Sequence, residues 1–260
     1  MATQDQIESI AADLFAAYTS KEPIQPPREI IEDMTVADAY AIQQWQEKAF
    51  EAKGDKVVGR KIGLTSLAMQ KQLGVDSPDF GFFTESLLFS SDEAIAVDQF
   101  ISPKVEPELG FKLAKDLAPN SSFEEVLNAI ESVHLAIEII DSRVRDWDIR
   151  LVDTVADNAS CGAIVLDPEP ANIPLEELTA VPARMLIGGE VAGEGTGEAV
   201  MGHPVKPIAW LTEILGEMGT TLKAGDIILS GSFCGAAPVV AGQEVIVDYG
   251  PYGTLTTSFK

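Results

Sequence analysis

An α+β fold is predicted for this 260-residue chain, with an N-terminal helical region over 1–55 and a β-rich domain over 56–260. Three observations carry that prediction. Apolar residues recur at helical spacing up to about residue 50, and from Lys56 the texture changes to short β-branched runs punctuated by glycine. Within the second region, residues 104–113 alternate, so that Val105, Leu109, Phe111 and Leu113 share one face while Glu106 and Glu108 share the other. The length suits one large core with an appendage. A balance of 18 basic against 41 acidic residues gives a formal net charge of -23, the wrong sign for following a phosphate backbone or an anionic leaflet. Nucleic acid and membrane are therefore not expected partners. A small anionic substrate remains compatible, provided a bound cation or a few lysines reverse the sign locally.

In chain order, Thr3 precedes a helix whose buried positions are Ile7, Ile10, Ala11, Leu14, Phe15 and Tyr18, ending near Ser20. Pro23, Pro26 and Pro27 make 21–33 an extended connector. Thr35 then caps a second helix with a stripe of Ala39, Ile42, Trp45 and Ala49, and Gly54 turns the chain. A strand over 57–64 opens the main domain. A short helix over 66–73 should stop at Gly74, and 77–81 reads as a turn that leaves Asp79 on a loop. Ser122 with Glu125 forms a capping box for a helix running to about Ile130. In 133–139 the odd positions are apolar, while His134, Ala136 and Glu138 face the other way. The small polar residues of 152–162 suit a lining where backbone approaches a ligand, or else a salt-bridged loop together with 141–147.

After a proline-rich link over 168–182, the glycines of 188–202 predict hairpin and turn structure. A helix over 208–218 ends at Gly219, and 226–232 is a buried strand emptying into a small-residue loop. Two closing strands flank a turn at 250–253. No convincing Gly-x-Gly-x-x-Gly lies between a strand and a helix. The N-terminus has neither the basic region nor the apolar run of a signal peptide, and no window is apolar for long enough to span a bilayer. A soluble, cytoplasmic protein is expected. Cys161 and Cys234 lack metal-ligand spacing and are expected to be buried free thiols.

The chemistry concentrates on acidic residues. Glu106 and Glu108, at i and i+2 on one strand, sit ~6.5 Å apart at their backbones and can converge on one point. Two carboxylates beside an apolar surface repel unless one is protonated or a cation lies between them. The alternative is a solvated polar face on an edge strand, which Pro107 favours because it cannot donate to a ladder. Glu138, a carboxylate in an apolar strand, needs a partner and is the candidate third ligand.

Taken together, Gly59-Arg60-Lys61-Ile62-Gly63-Leu64-Thr65-Ser66, Pro78-Asp79-Phe80-Gly81, Lys104-Val105-Glu106-Pro107-Glu108, Glu138-Ile139-Ile140-Asp141-Ser142-Arg143 and 153–160 resemble the 2-keto-4-pentenoate hydratase and 4-oxalocrotonate decarboxylase group of the fumarylacetoacetase superfamily. The resemblance spans almost the whole chain, and 224–231 carries a broader superfamily mark. It implies a mixed β-sheet roll with an N-terminal helical cap, a divalent magnesium or manganese ion, and a homo-oligomer, commonly a pentamer or decamer. Glu106, Glu108 and Glu138 match the family's metal-binding carboxylates. Lys61 and Asp79 match its active-site lysine and aspartate: Asp79 is taken as the acid/base group and Lys61 as the positive group, assignments that the sequence allows to be exchanged. Ser160 falls where the family lines its substrate pocket, and Thr65, Gly231 and Ser232 are further candidate substrate-binding residues. His134 and His203 are expected to be structural.

Pro107 departs from relatives, which usually carry a small residue there. The run Arg143-Val144-Arg145-Asp146-Trp147 looks more like the hydratases than the decarboxylases. The resemblance thus implies a hydratase acting on a 2-hydroxy-2,4-dienoate in aromatic catabolism. A 4-oxalocrotonate decarboxylase, an acylpyruvate-type hydrolase and a non-catalytic partner subunit are the alternatives, in that order.

Overall fold

In the computed structural model of the chain, residues 2–66, 70, 75, 77–91 and 93–260 are described. The helix expected over 66–73 lies mostly outside these. Helices α1 (Gln4–Ser20) and α3 (Val36–Ala52) both begin at a threonine capping box, Thr3 accepting from the Gln6 N–H and Thr35 from the Asp38 N–H. Between them, α2 (Pro27–Ile30) corrects the extended connector. Proline has no N–H to lose in a first helical turn, so Pro27 can open one where it could not sit inside one.

Along α3 the stripe also departs from expectation. Trp45 and Ala49 are only partly buried, whereas Gln43 and Gln46 are buried beside Ala39, Ile42 and Phe50. Each Nε2 finds backbone acceptors, that of Gln43 on the Phe80 and Val155 carbonyls and that of Gln46 on the Ala156 carbonyl, which offsets the cost of burying these donors. Ile10, Leu14, Ile31, Ala39 and Ile42 form a core with Val144, Val155 and Ala156.

Thirteen strands follow among the described residues: β1 (Val57–Gly63), β2 (Asp79–Thr84), β3 (Leu88–Ser90), β4 (Ala94–Ile95), β5 (Lys104–Leu113), β6 (Ile130–Ile140), β7 (Cys161–Leu166), β8 (Pro182–Ile187), β9 (Glu190–Thr196), β10 (Ile227–Leu229), β11 (Ala237–Pro238), β12 (Glu244–Asp248) and β13 (Thr254–Phe259). They form an eight-stranded mixed sheet ordered β2-β1-β10-β5-β6-β7-β3, with β11 also on β5, and a five-stranded sheet ordered β4-β13-β12-β8-β9. The apolar face of β5 meets Val245, Val247, Leu255 and Phe259 of the second sheet in the main core. Helices α4 (Phe123–Leu127), α5 (Leu151–Ala156) and α6 (Lys206–Glu217) fill the connections. No helix among the described residues is long and apolar enough to cross a membrane.

Four local expectations are corrected. Strand β5 is central, not an edge. Pro107 is accommodated because its carbonyl accepts from Phe233 N at 3.0 Å, so its ring nitrogen also faces the gap between β10 and β11, where no ladder donor is required. Asp79 is on a strand rather than a loop: every residue of β2 is buried, because Phe80, Phe82 and Phe83 draw the segment into pairing with β1. The helix after Ser122 stops at Leu127, since the Ala129 carbonyl already accepts from Ala114 N. Both cysteines are free, but only Cys161 is buried.

One buried ion pair holds the loop from 157 to 161. Arg143 is 1% exposed; its Nε donates to Asp157 Oδ1 at 2.6 Å and its Nη1 to the Cys161 carbonyl at 2.8 Å. Tyr18 of α1 lies 4.3 Å from the guanidinium and donates to the same carbonyl. The loop needs this restraint. Asn158, Ala159 and Ser160 all have positive φ, 53°, 48° and 53°, a conformation that costs a side-chain-bearing residue roughly 1–2 kcal/mol. Removing one partner of a buried pair strands the other charge. We therefore expect Arg143→Met to lower unfolding free energy by about 3–5 kcal/mol in urea titration, and Arg143→Met with Asp157→Leu to lose less than that single variant.

Candidate functional site

The register of β5 against β6 sets Glu106 opposite Glu138 and Glu108 opposite Ala136, so all three carboxylates stand on one face. One oxygen from each lies within 4.8 Å of the others. Glu108 and Glu138 are buried and Glu106 is partly exposed. Three strands from β6, past β10 and β5, Lys61 of β1 is 3% exposed and sends its Nζ to 3.1 Å from Glu138 Oε1. Glu108 Oε2 accepts from the Gly231 N–H at 2.9 Å. From the second sheet, the Tyr249 hydroxyl lies 2.8 Å from the Glu108 carbonyl oxygen and 2.7 Å from that of Ala136, a shared donor across both strands. Neither Glu138 oxygen has a hydrogen bond of good geometry among the described residues.

Asp79 and Lys61 meet at Gly63. A Cβ on Gly63 would fall 2.3 Å from Asp79 Oδ1 and 3.3 Å from Lys61 Nζ, so a larger residue would collide with the acid. Thr154 of α5 lies near enough to Asp79 to favour its carboxylate, and Thr154 Oγ1 lies 3.4 Å from Ser160 Oγ. Thr65 packs on Gly231, whose φ of +119° suits glycine and whose missing side chain leaves room for the Thr65 hydroxyl. Of the residues predicted for the site, Lys61, Asp79, Thr65 and Gly231 thus join the glutamates through direct contacts or one intermediary, while Ser160 lies further off beside Thr154. Ser232 is turned differently, its hydroxyl donating to the Cys234 carbonyl at 2.6 Å.

His134 is tied between Ser132 and the Asp167 carbonyl, and His203 accepts from Val205 N in a turn, so both are structural, as expected. Gly63, Thr154 and Tyr249 escaped the sequence reading. Gly63 and Thr154 lie inside the motifs quoted above, but their roles depend on a neighbour from a different segment. Tyr249 reaches the site only through the second sheet and leaves no local signal.

Burial raises the pKa of all three glutamates. Glu106 is pushed up to about 8 by burial and then by the charge of Glu138. For Glu138 burial outweighs the nearby Lys61 ammonium. Burial opposes the charge on Lys61, yet Glu138 and Asp79 beside it prevail and its pKa is raised. Asp79 is raised by burial against the pull of Lys61 and Thr154. Three carboxylates competing for one lysine leave an excess of buried negative charge and unpartnered oxygens. Oxygen-only, hard donors of this kind fit a hard divalent cation.

The comparisons with known proteins agree with this arrangement. Residues 46–260 match the model of the fumarylacetoacetate (FAA) hydrolase C-terminal family. The chain belongs to that family. Among its curated members, a 2-keto-4-pentenoate hydratase of Paraburkholderia phymatum is 40% identical over 100% of both chains. A 2-hydroxyhexa-2,4-dienoate hydratase of Comamonas testosteroni is 39% identical over 100% of this chain and 99% of its own. The 4-oxalocrotonate decarboxylase from Pseudomonas putida G7, complexed with magnesium and adipate, superposes with a TM-score of 0.95 at 32% identity, covering 100% of this chain and 99% of that one. The α+β fold expected of an FAA hydrolase family member is therefore present.

The raised glutamate values fix the sign of a pH effect. The pKa of Glu106 rises from 4.5 to about 8 on folding, so between these values the folded chain holds a proton that the unfolded chain releases, and stability falls as pH rises. Metal-free protein in chelator should accordingly lose thermal stability from about pH 5 to 8. Saturating Mg2+, which favours the ionised carboxylates, should raise Tm most at the alkaline end and flatten that slope.

Proposed function

We propose that this chain is a metal-dependent hydratase that adds water to a 2-hydroxy-2,4-dienoate to give a 4-hydroxy-2-oxo acid. The convergence of Glu106, Glu108 and Glu138 beside Lys61 and Asp79 carries this reading, and the full-length similarity to two dienoate hydratases supports it. The three glutamates would hold a divalent ion, magnesium or manganese, for which the magnesium in the similar decarboxylase is a precedent. Such an ion supplies Lewis-acid polarisation of the oxygens of a 2-oxo acid.

The chain's own groups account for binding and proton movement. Lys61 is fixed by Glu138 at 3.1 Å and presents a permanent positive charge toward an anionic substrate, favouring the form in which negative charge develops on the 2-oxygen. Asp79 is the acid/base group. Its burial favours the neutral carboxyl, and Lys61 and Thr154 favour the carboxylate; opposed influences of this kind suit a group that must both give and take a proton. In the overall conversion the enol O–H proton is released, C5 gains a proton, and water contributes its oxygen to C4 and one hydrogen to C3. Thr154 lies near Asp79, and Ser160, next to Thr154, lines the substrate space with Thr65 and Gly231. The domain division at 55/56 and a pentameric or decameric assembly belong to the same reading.

Decarboxylation of 4-oxalocrotonate is the competing reading, favoured by the close superposition on that decarboxylase. Supplying both acids to the Mg2+-loaded protein distinguishes them: the dienoate should be hydrated and the dicarboxylate left largely intact. Rapid loss of carbon dioxide from the dicarboxylate, with no hydration, would reverse the assignment. Asp79→Asn should lower kcat about 10²- to 10⁴-fold in steady-state assays, the usual contribution of a general acid or base. Glu138→Gln should abolish activity together with Mg2+ binding, which calorimetry would register directly.

A further inference from the structure

We infer that Gln43, a buried glutamine of α3 outside the carboxylate cluster, is a positioning residue that holds Asp79 in register with Thr154; the inference rests on the functional reading above, in which Asp79 moves the proton. Gln43 is 1% exposed. Its Nε2 donates to the Phe80 carbonyl at 2.8 Å and to the Val155 carbonyl at 3.0 Å, using both of its hydrogens. Phe80 directly follows Asp79, and Val155 directly follows Thr154, whose side chain lies near the Asp79 carboxyl and favours its ionised form. One amide group therefore sets the spacing between the backbone that carries the acid and the backbone that carries its partner.

A second contact from the same helix acts on the same residue. Tyr40, one turn before Gln43, stacks on the Phe80 ring with centroids 4.8 Å apart and planes 19° from parallel. Phe80 is thus gripped by its ring and by its carbonyl. Asp79 needs such a grip because it is the first residue of β2, so the strand's ladder restrains it from one side of the chain only. Its Oδ1 has no hydrogen bond among the described residues, so where the carboxyl points depends on where the backbone of β2 holds it.

Gln46 provides an internal control. It lies one turn further along α3, is 0% exposed, and donates to the Ala156 and Ile42 carbonyls at 2.7 Å and 3.3 Å. It shares the burial and the donor chemistry of Gln43, while its Oε1 has no hydrogen bond among the described residues. Neither of its acceptors adjoins Asp79 or Thr154.

The test compares full-length Gln43→Met and Gln46→Met, both loaded with Mg2+, on the dienoate and on 4-oxalocrotonate. Both variants should lower Tm, since Gln43→Met takes the side-chain donor from the Phe80 and Val155 carbonyls and Gln46→Met takes it from that of Ala156. Gln43→Met should lower kcat about 10- to 100-fold, the cost of displacing a reacting group by a fraction of an ångström to an ångström. Its KM should stay within about twofold and its Mg2+ affinity unchanged, while Gln46→Met keeps kcat within about twofold of wild type. Should Gln43→Met fail to fold, Gln43→Asn retains the donor on a shorter arm that cannot reach both carbonyls, and a smaller kcat loss with unchanged KM is expected. Equal kcat for the two glutamine variants, or a kcat loss that merely follows Tm, would overturn the positioning role while leaving the hydratase reading intact. A wild-type protein that consumes neither acid would instead overturn that reading, and this inference with it.

Discussion

Three carboxylates facing one another inside a sheet repel, and the surrounding construction offsets that repulsion. Lys61 reaches past β10 and β5 to Glu138, the Gly231 N–H binds Glu108, and Tyr249 ties the carbonyls of β5 and β6 from the other side of the sheet. Each of these groups reduces the electrostatic cost of the cluster or stops the strands from separating to relieve it. None neutralises it fully. Residual negative charge of this kind favours a compact cation and disfavours a free anion.

Rigidity is concentrated where the loops meet this face. The left-handed run Asn158-Ala159-Ser160 would relax if it were free. It is held from behind by Arg143, Asp157 and Tyr18 and from the side by Asn158, whose amide bonds both backbone groups of Phe82. The N-terminal helices thus supply part of this support in place of standing apart as an appendage. Both α1 and α3 reach strands or loops that carry residues of the site.

Much of this was legible in the chain itself. Alternation along 104–113 and 133–139 put the three glutamates on matching faces, because a strand's period of two is a local property. Threonine and serine caps gave the starts of three helices for the same reason. Pro107 and Asp79 were misplaced because their settings are not local. A proline is excluded from a central strand only where its nitrogen faces a neighbour, and the gap between β10 and β11 is invisible from the sequence around it. Asp79 looked like a loop residue beside Pro78, and only the pairing of the following phenylalanines with β1 makes it the start of a strand. Gln43 was hidden for a related reason: a polar residue on a helix stripe reads as surface until its backbone acceptors are known.

The facing of Glu106 and Glu138 across the β5–β6 pair has a consequence for assembly of the fold. A slip of a single residue between these strands would send one of the two carboxylates to the opposite side of the sheet. Only the native alignment brings all three within reach of a common cation, so an ion captured there would reward correct pairing and dissociate from a shifted one. The three glutamates would then act as a gauge of strand alignment during folding.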